Sequence, residues 1–517
     1  MSESQAEGHS APKETKDSGI PFYPLLFAIA PVLSVFGANL SVFSVQDLIR
    51  PLVAALMAAA LGLLIFSWVT KSWQKGASAL LPILAAWWLF EPGHKALSRV
   101  VGPASLAVIP IAALVGAWLF AKWNPAPRFL NTASGLLVTL LAGSTAVRLA
   151  LPPSLPKPEE ASAVSISLPP GPRPSIFYIV PDGFGRLDVL REKHGINLDW
   201  FAKALQSRGF QIAAQNHSSY LQTQLSLAST LNLQPLDALS DRAGKGDGDR
   251  RLYGPLITHS LTALALKEAG YEHVTVGSGY EGIKLGGREV PLEASAPVSL
   301  FEASLLKKTP IALLDWLDSV QSIRHRSQVE AAFEALKKLS LPGTKPRFVM
   351  AHLLTPHPPF VFDPEGNPLE PKGGFAISDG DDYMRLVAGP EDYRKGYANK
   401  VQYTAKKLLE VVDSALAASN GNPPIIIIQG DHGSKLGVSH QSLDKTDLEE
   451  GFSNFYALLT PKNMSVEIPQ RDTNINTFRR IFSALGAKNL PPLEPKSWYS
   501  SFDRPLDFVD VTARIEP

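Results

Sequence analysis

The chain has 517 residues, with 49 basic and 48 acidic side chains and a formal net charge of +1. This length should hold more than one folding unit, and the balanced charge gives no electrostatic basis for binding nucleic acid. Cysteine is absent, which excludes disulfides, thiolate metal sites and a cysteine nucleophile.

The first 151 residues divide into a polar start and a long apolar region. Residues 1–18 are polar and are predicted to be disordered. Residues 19–151 are predicted to form a transmembrane domain of five helices, because most apolar stretches approach the ~20 residues that cross a bilayer. A buried soluble helical domain would need polar faces that these helices lack. The predicted spans are 22–45, 52–69, 77–90, 100–120 and 130–151.

The distribution of basic residues predicts the orientation of these spans. With the N-terminus inside, the inner segments carry Lys13, Lys16, Lys71, Lys75, Lys122 and Arg128, and the outer segments carry Arg50, Lys95, Arg99 and Arg148. An inner excess of Lys and Arg favours this arrangement. Five spans then place everything after residue 151 outside the cytoplasm. Eight prolines in residues 151–174 predict a semi-rigid linker over 152–174.

From residue 175 to 517, strands and helices alternate. The clearest strand is the run of four isoleucines at 425–428, which is β-branched, too short for a useful helix and apolar enough to be buried on both faces. The pattern predicts an α/β domain with a mostly parallel central sheet flanked by helices. Further predicted strands are 175–180, 210–213, 273–276, 347–354 and 454–459, and predicted helices are 198–206, 223–233, 261–269, 392–418 and 474–485.

Polar residues with useful chemistry stand at four junctions of this pattern. Asp182 follows the first strand, Thr223 opens a helix, His357 lies between prolines, and Asp431 and His432 follow the isoleucine strand. Each alone could be a turn, cap or loop residue, but open α/β sheets gather ligands at the carboxyl ends of their strands. A carboxylate beside an imidazole suits Zn²⁺ or Mn²⁺. A metal-activated hydroxyl at a helix N-terminus would be a nucleophile.

The segments IFYIVPDGFGR, SSYLQTQLSLASTLN, FVMAHLLTPHPPFVFD and IIIIQGDHGSKLG resemble the sulfatase-like branch of the alkaline phosphatase superfamily. More closely, the chain is similar to membrane-anchored bacterial members such as lipoteichoic acid synthases and phosphoethanolamine transferases. The resemblance implies an alkaline-phosphatase-like catalytic domain after five spans. It also implies a multi-pass protein of the bacterial inner (cytoplasmic) membrane, with the catalytic domain periplasmic or extracellular.

The resemblance also implies roles for single residues. Asp182, Asp431 and His432 match metal ligands for one Zn²⁺ or Mn²⁺, and Thr223 matches the metal-bound nucleophile. His357 matches a histidine that contacts the substrate phosphate or assists the leaving group.

Two further residues match this family less specifically. His440 matches a later histidine that serves the substrate or a possible second metal, with a surface histidine as an equal alternative. Lys435 lies close enough to help neutralise a phosphate, although a solvated lysine is the favoured interpretation.

These roles predict a metal-dependent phosphoryl-type transferase that moves a phospho-head group from a lipid-linked donor to an envelope glycan or lipid acceptor. A membrane-anchored phosphodiesterase or phosphatase is the alternative, and a non-catalytic membrane scaffold is a third. Sulfatases of this superfamily use a formylglycine made from Cys or Ser. The matching position here is Thr223, which cannot become that aldehyde, so the sequence argues against sulfate-ester hydrolysis by that route.

Overall fold

The computed structural model describes residues 19–123, 125, 127–151, 166–171, 173–237, 248–280, 282–292, 297–341 and 343–515. The predicted disordered start at 1–18 and most of the predicted linker at 152–174 lie outside these residues. The chain forms two compact units. One holds the residues up to Ala150 together with Ser299–Leu314, and the other holds the remainder. The sequence assigned 299–314 to the catalytic domain, whereas this segment packs with the first unit.

The first unit is helical and strongly apolar. Its helices are α1 (Tyr23–Ala38), α2 (Val45–Thr70), α3 (Trp73–Trp88), α4 (Phe90–Val101), α5 (Ser105–Trp123) and α6 (Pro127–Ala150). By length and composition, three stretches could cross a membrane, namely Val45–Thr70, Phe90–Trp123 and Pro127–Ala150, and α1 is a shorter apolar helix. The predicted count of five spans therefore stays a prediction.

The exposed surface of these helices is apolar as well. Trp68 on α2, Leu114 on α5 and Leu140 on α6 are each more than half exposed. Apolar faces of this extent are not expected in water, which agrees with a lipid environment.

Within the first unit, Ser299–Leu314 is held by aromatic packing and one ion pair. Phe301 is fully buried, and its ring centroid lies 6.1 Å from that of Phe36 and 4.9 Å from that of Phe43. Beside it, Arg50 Nη2 donates to Glu302 Oε2 at 2.8 Å.

The second unit contains the remaining helices and the sheets. Its strands are β1 (Ile176–Pro181), β2 (Gln211–Ile212), β3 (Gln215–His217), β4 (Glu272–Val276), β5 (Arg288–Glu289), β6 (Arg347–Leu353), β7 (Ile425–Gln429), β8 (Tyr456–Leu459), β9 (Arg471–Thr473), β10 (Trp498–Tyr499) and β11 (Val509–Asp510). Continuing the count along the chain, the helices are α7 (Leu187–His194), α8 (Asp199–Ser207), α9 (Thr223–Asn232), α10 (Tyr253–Thr258), α11 (Leu261–Glu268), α12 (Leu300–Leu306, in the first unit), α13 (Asp315–Leu339), α14 (Gly380–Leu386), α15 (Pro390–Ala417), α16 (Leu448–Phe452), α17 (Asn476–Ala484) and α18 (Thr512–Ile515).

A seven-stranded sheet organises this unit in the order β2-β8-β7-β1-β6-β4-β5. Strands β7, β1, β6, β4 and β5 are mutually parallel, whereas β8 is antiparallel to β7 and to β2. The prediction of a mostly parallel sheet is confirmed. Because β1 lies between β7 and β6, the segments that follow these three strands leave the sheet side by side.

Both faces of the sheet are buried, because successive side chains point to opposite sides. Phe177 and Ile179 belong to one core with residues of α7, α8, α13 and α15. Ile176 and Tyr178 belong to the other core with residues of α9, α11 and α17. Every side chain from Ile425 to Ile428 is buried, as the sequence predicted for a strand covered on both faces.

Helix α13 was not predicted, although it is 25 residues long. Its buried residues include Gln321, Ser322, His325 and Gln328, which interrupt the apolar period that marks an amphipathic helix.

The buried strand gives a stability prediction. We expect Ile427→Ala to lower the free energy of unfolding by about 2–5 kcal/mol, because it removes a fully buried side chain from a packed core. Leu341→Ala, at a position 60% exposed, should change it by no more than about 0.5 kcal/mol. Denaturant unfolding of the purified chain, followed by tryptophan fluorescence, compares the two, and equal losses would contradict the buried position of Ile427.

Candidate active site

Three parallel strands deliver acidic and imidazole groups to one point. Asp182 follows β1, His352 is near the end of β6, and Asp431 follows β7. All three side chains are buried, and one ligand atom from each lies within 4.8 Å of the others. His352 was missed in the sequence, where it reads as part of an apolar strand. A polar histidine inside an otherwise apolar predicted strand is the signal that could have identified it.

His432 completes this group with a defined tautomer. Its Nδ1 donates to the carbonyl oxygen of Gly433 at 2.8 Å, which leaves the Nε2 lone pair free to bind a metal. Nε2 lies 3.3 Å from Asp431 Oδ2 and 3.5 Å from Asp182 Oδ1. Burial lowers the pKa of His432 despite the nearby carboxylate of Asp431, so the ring is neutral, as a metal ligand must be.

The group has buried polar atoms whose chemistry fits a divalent cation. Asp182 Oδ1, Asp431 Oδ2 and both ring nitrogens of His352 are buried without a hydrogen-bond partner in the described part of the chain. Leaving such atoms unpaired is costly, whereas a divalent cation would satisfy them together. Two carboxylates with two imidazoles are ligands that suit Zn²⁺ or Mn²⁺. The residues therefore fit the metal that the sequence predicted.

The surrounding imidazoles affect the first of these carboxylates. Burial alone would raise the pKa of Asp182, but the imidazoles of His357, His352 and His432 together outweigh burial and hold it below its usual range. Asp182 is consequently charged and available as a ligand.

Thr223 is placed beside the same point by helix α9. It is the first residue of the helix, and its Oγ1 lies 3.3 Å from His432 Nε2. One turn later, Ser226 Oγ donates to the carbonyl oxygen of Asp431 at 2.6 Å. The start of α9 is thus tied directly to the loop that carries Asp431, and the Thr223 side chain is half-buried at the edge of that loop.

The loop after β7 is fixed by amides and by close backbone approach. Asn454 and Asn474 both donate to the carbonyl oxygen of Gly430. The Gly183 N–H donates to Asp431 Oδ1 at 3.0 Å. A Cβ added at Gly430 would lie 2.5 Å from the Phe184 oxygen, so only glycine fits there. These contacts fix the direction of the Asp431 carboxylate.

A second cluster forms around Asp379, which sequence reasoning missed. His440 Nε2 lies 2.6 Å from Asp379 Oδ1, and Lys435 Nζ lies 2.8 Å from Oδ2. His357 Nε2 lies 3.2 Å from Oδ2. The interpretation of Lys435 as solvated and the alternative of His440 as a surface residue are both wrong, since both side chains are buried. No strand precedes Asp379, so the sequence carried no positional signal for it.

His357 lies between the two clusters as a cation. The backbone N–H of His357 donates to the backbone oxygen of Asp182 at 3.1 Å. Its ring Nδ1 lies 2.6 Å from the Pro358 oxygen. Burial opposes its charge, but the carboxylates of Asp182 and Asp379 outweigh burial and raise the pKa of His357. Because both ring nitrogens face acceptors, the imidazolium form fits this position.

One further cation contacts the residue before Thr223. Arg250 Nη2 donates to Gln222 Oε1 at 2.8 Å, directly before Thr223 in the chain. Its guanidinium stacks over the Phe502 ring at 4.3 Å, and that ring contacts His440. Residues 235–256 are rich in Asp, Gly and Arg, which predicts a surface loop. Helix α10 begins within this segment at Tyr253, and 238–247 lie outside the described residues.

No family model and no curated protein matches the chain. Among solved structures, the C-terminal periplasmic domain of EptC from Escherichia coli in complex with Zn has 12% identity and a TM-score of 0.40, covering 66% of this chain and 96% of its own. Lipooligosaccharide phosphoethanolamine transferase A from Neisseria meningitidis has 12% identity and a TM-score of 0.38, covering 91% and 96%. Phosphonate monoester hydrolase from Agrobacterium radiobacter has 13% identity and a TM-score of 0.40, covering 63% and 80%.

These structures include a phosphoethanolamine transferase, a class of protein that the sequence motifs also resemble. At TM-scores of 0.40 or less, the likenesses do not by themselves extend to the site or the substrate of this chain.

The two clusters give a prediction about metal content. We expect the purified protein to hold about one tightly bound divalent metal per chain, and Asp431→Ala and His352→Ala to lose most of it, because each removes a ligand from the buried group. Asp379→Asn should retain it, since its carboxylate already binds three side chains.

Elemental analysis by mass spectrometry after dialysis measures the stoichiometry in all four proteins. Full metal in Asp431→Ala would contradict the ligand set. Loss of metal from Asp379→Asn alone would place the ion in the second cluster instead.

Proposed function

We propose that this chain is a metal-dependent phosphoryl-type transferase with Thr223 as its nucleophile, acting on a lipid-linked donor outside the cytoplasm. The observation that supports it most directly is the position of Thr223 Oγ1, which lies 3.3 Å from His432 Nε2 beside two buried carboxylates with unpaired oxygens. Burying carboxylate oxygens without partners costs free energy of folding, and a membrane scaffold would gain nothing from it. An activated hydroxyl next to a cation site is typical of enzymes that transfer a group through a covalent intermediate.

Asp182, His352, Asp431 and His432 are the residues that would hold the cation. When bound, it supplies positive charge that lowers the pKa of a hydroxyl and neutralises charge on phosphate. The geometry of the ligands is fixed before substrate arrives, because Ser226, Asn454 and Asn474 already bind the backbone of the Gly430–Asp431 loop.

Thr223 attacks the phosphorus of the donor phosphodiester. A bond forms between Oγ1 and phosphorus while the bond from phosphorus to the leaving alcohol breaks, and the Thr223 proton passes to solvent. The leaving oxygen takes a proton from His357, whose pKa is raised by Asp182 and Asp379 after the opposing effect of burial.

An acceptor hydroxyl then attacks the phosphorus of the phospho-threonine and gives its proton to His357. The bond from phosphorus to Thr223 Oγ1 breaks, and Oγ1 regains its proton from solvent. Lys435 and His357 face the charge on the phosphoryl oxygens, so catalysis rests mainly on positioning and charge neutralisation.

A lipid-linked donor is supported by the first unit. Three long apolar helical stretches exceed what a soluble substrate requires, since one span would anchor a domain. We propose that the donor is a glycerophospholipid and that the acceptor is an envelope glycan or lipid. A phosphodiesterase or phosphatase is the competing function, and it differs only in that water resolves the phospho-threonine.

The nucleophile is tested by substitution. Thr223→Ala should lower turnover by at least about 10³-fold, because no other group can form the covalent intermediate. Thr223→Ser should retain part of it, since only the hydroxyl is required. Ser207→Ala, which removes an exposed hydroxyl at the end of α8, is the control with unchanged activity.

Intact-mass and peptide mass spectrometry of enzyme quenched during turnover should show a phosphoryl-type adduct on Thr223. An adduct that persists in Thr223→Ala would assign the nucleophile to another residue. For transfer, head-group-labelled phospholipid is supplied with an envelope fraction. Label on the envelope with diacylglycerol released supports the transferase, and label released only as a small soluble phosphate supports the hydrolase.

The membrane arrangement is tested with reporter fusions. We propose a multi-pass protein of the bacterial inner membrane with the catalytic unit outside the cytoplasm. Because the basic residues are more numerous on the predicted inner side, a reporter active only outside should be active when fused after residue 517 and silent when fused after Lys122. The reverse pattern would contradict both the topology and an extracytoplasmic substrate.

A further inference from the structure

Helix α15 presents one polar stripe to the loops that build the site. Tyr393, Tyr397, Lys400 and Thr404 recur at intervals of three and four residues, which places them on one helix face. All four are buried. Sequence analysis predicted this helix but assigned no role to the stripe.

The two tyrosines of this stripe bind the loops after β1 and β7. Tyr397 Oη donates to the Gly183 oxygen at 2.7 Å and accepts from the Gly185 N–H at 3.2 Å. Tyr393 Oη accepts from the N–H of Lys435 at 3.2 Å. One helix face is therefore in contact with the segments that carry Asp182 and Lys435.

Lys400 binds the third loop, which follows β6 and carries His357. Its Nζ donates to the backbone oxygens of Leu354 at 3.0 Å, His357 at 2.6 Å and Pro359 at 3.0 Å. The same atom lies 3.0 Å from His325 Nε2 on α13. The carbonyl oxygens lie before, at and after His357, so the single amino group of Lys400 spans the whole bend.

Burying a lysine to hold a loop costs free energy of folding. Lys400 is fully buried, and no ion pair in the described part of the chain includes it. Burial lowers the pKa of Lys400 well below its usual range, and burial followed by the charge of Lys400 lowers that of His325. Buried lysines without a carboxylate are rare, and an apolar side chain in this position would leave three carbonyl oxygens without their donor.

We propose that Lys400 is a positioning residue that fixes the backbone of residues 354–359 and so sets the place of the His357 ring in the site. Among the described hydrogen bonds, the backbone of His357 makes two: its N–H donates to the Asp182 oxygen, and its carbonyl oxygen accepts from Lys400 Nζ. Its N–H and its carbonyl oxygen are thus held by Asp182 and Lys400 respectively. The kinetic part of the test rests on the proposed function, and the exchange part does not.

Hydrogen exchange of the full-length protein tests the clamp without any substrate. Three prolines in residues 354–360 leave few amides, and the His357 amide reports directly on its bond to Asp182. In Lys400→Met we expect this amide to exchange at least about tenfold faster, while peptides covering Asp431 are unchanged. Unchanged exchange in 354–360 would overturn the proposal.

The matched control is Lys406→Met on the same helix. Lys406 Nζ also donates to a backbone oxygen, that of Pro364 at 2.7 Å, but its side chain is 44% exposed. Exchange in 354–360 should be unaffected in this variant. If Lys400→Met does not fold, Lys400→Gln replaces it, because the amide keeps two N–H donors and should give an intermediate increase in exchange.

A double-mutant cycle separates positioning from general support. With bis(4-nitrophenyl) phosphate as the probe, Lys400→Met should lower kcat on the order of 10²-fold with little change in KM. In a His357→Ala background the same substitution should lower kcat by less than about threefold, because its effect passes through His357. Equal losses in both backgrounds would overturn the proposal. If the wild type does not turn over the probe, the cycle is measured with the head-group-labelled phospholipid instead, and hydrogen exchange judges Lys400 independently of either substrate.

Discussion

Two buried carboxylates that face the same point form the constraint on which this site depends. Asp182 and Asp431 end neighbouring parallel strands, and each keeps an oxygen without a hydrogen-bond partner. Like charges in a buried position repel each other strongly, so the folded chain must supply compensation. The neutral imidazole of His432 adds no positive charge there, whereas a divalent cation held by these groups would balance both carboxylates. The surrounding amides and the Gly430 backbone are arranged to keep this unfavourable geometry in place.

The parallel sheet explains why residues distant in sequence meet there. Asp182, His352 and Asp431 are separated by more than 70 residues from one to the next, yet β1 lies between β6 and β7 in direct register. The sequence reveals such positions when a polar residue follows an apolar strand, and Asp182, Asp431 and His432 were predicted in this way. Thr223 was predicted because it opens a helix. These signals are local, and the fold class follows from the same alternation of strands and helices.

The residues that were missed share a physical reason. His352 lies inside a strand rather than after it, so its neighbours hide it in an apolar run. Asp379 precedes a short helix in a region without a strand, and its importance comes only from three side chains that reach it from elsewhere. Lys400 lies on a helix where a lysine ordinarily points to solvent. Tertiary partners determine the role of each of these residues, and no periodicity or spacing in one sequence encodes a partner.

The division of charge between the two clusters indicates what the site can bind. A divalent cation would balance the two carboxylates of Asp182 and Asp431 and leave that half of the site close to neutral. In the other half, the Asp379 carboxylate faces the Lys435 ammonium and the His357 imidazolium, so one positive charge is left over before His440 is considered. A phosphodiester carries one negative charge, which this excess matches. Asp379 has a further effect, because it holds the cations in fixed positions before substrate binds and so reduces the reorganisation that phosphate binding would otherwise require. Under the proposed function, the positive charge left over in the second cluster suits a singly charged phosphodiester as the donor, because the second negative charge of a phosphomonoester has no matching cation within the two clusters.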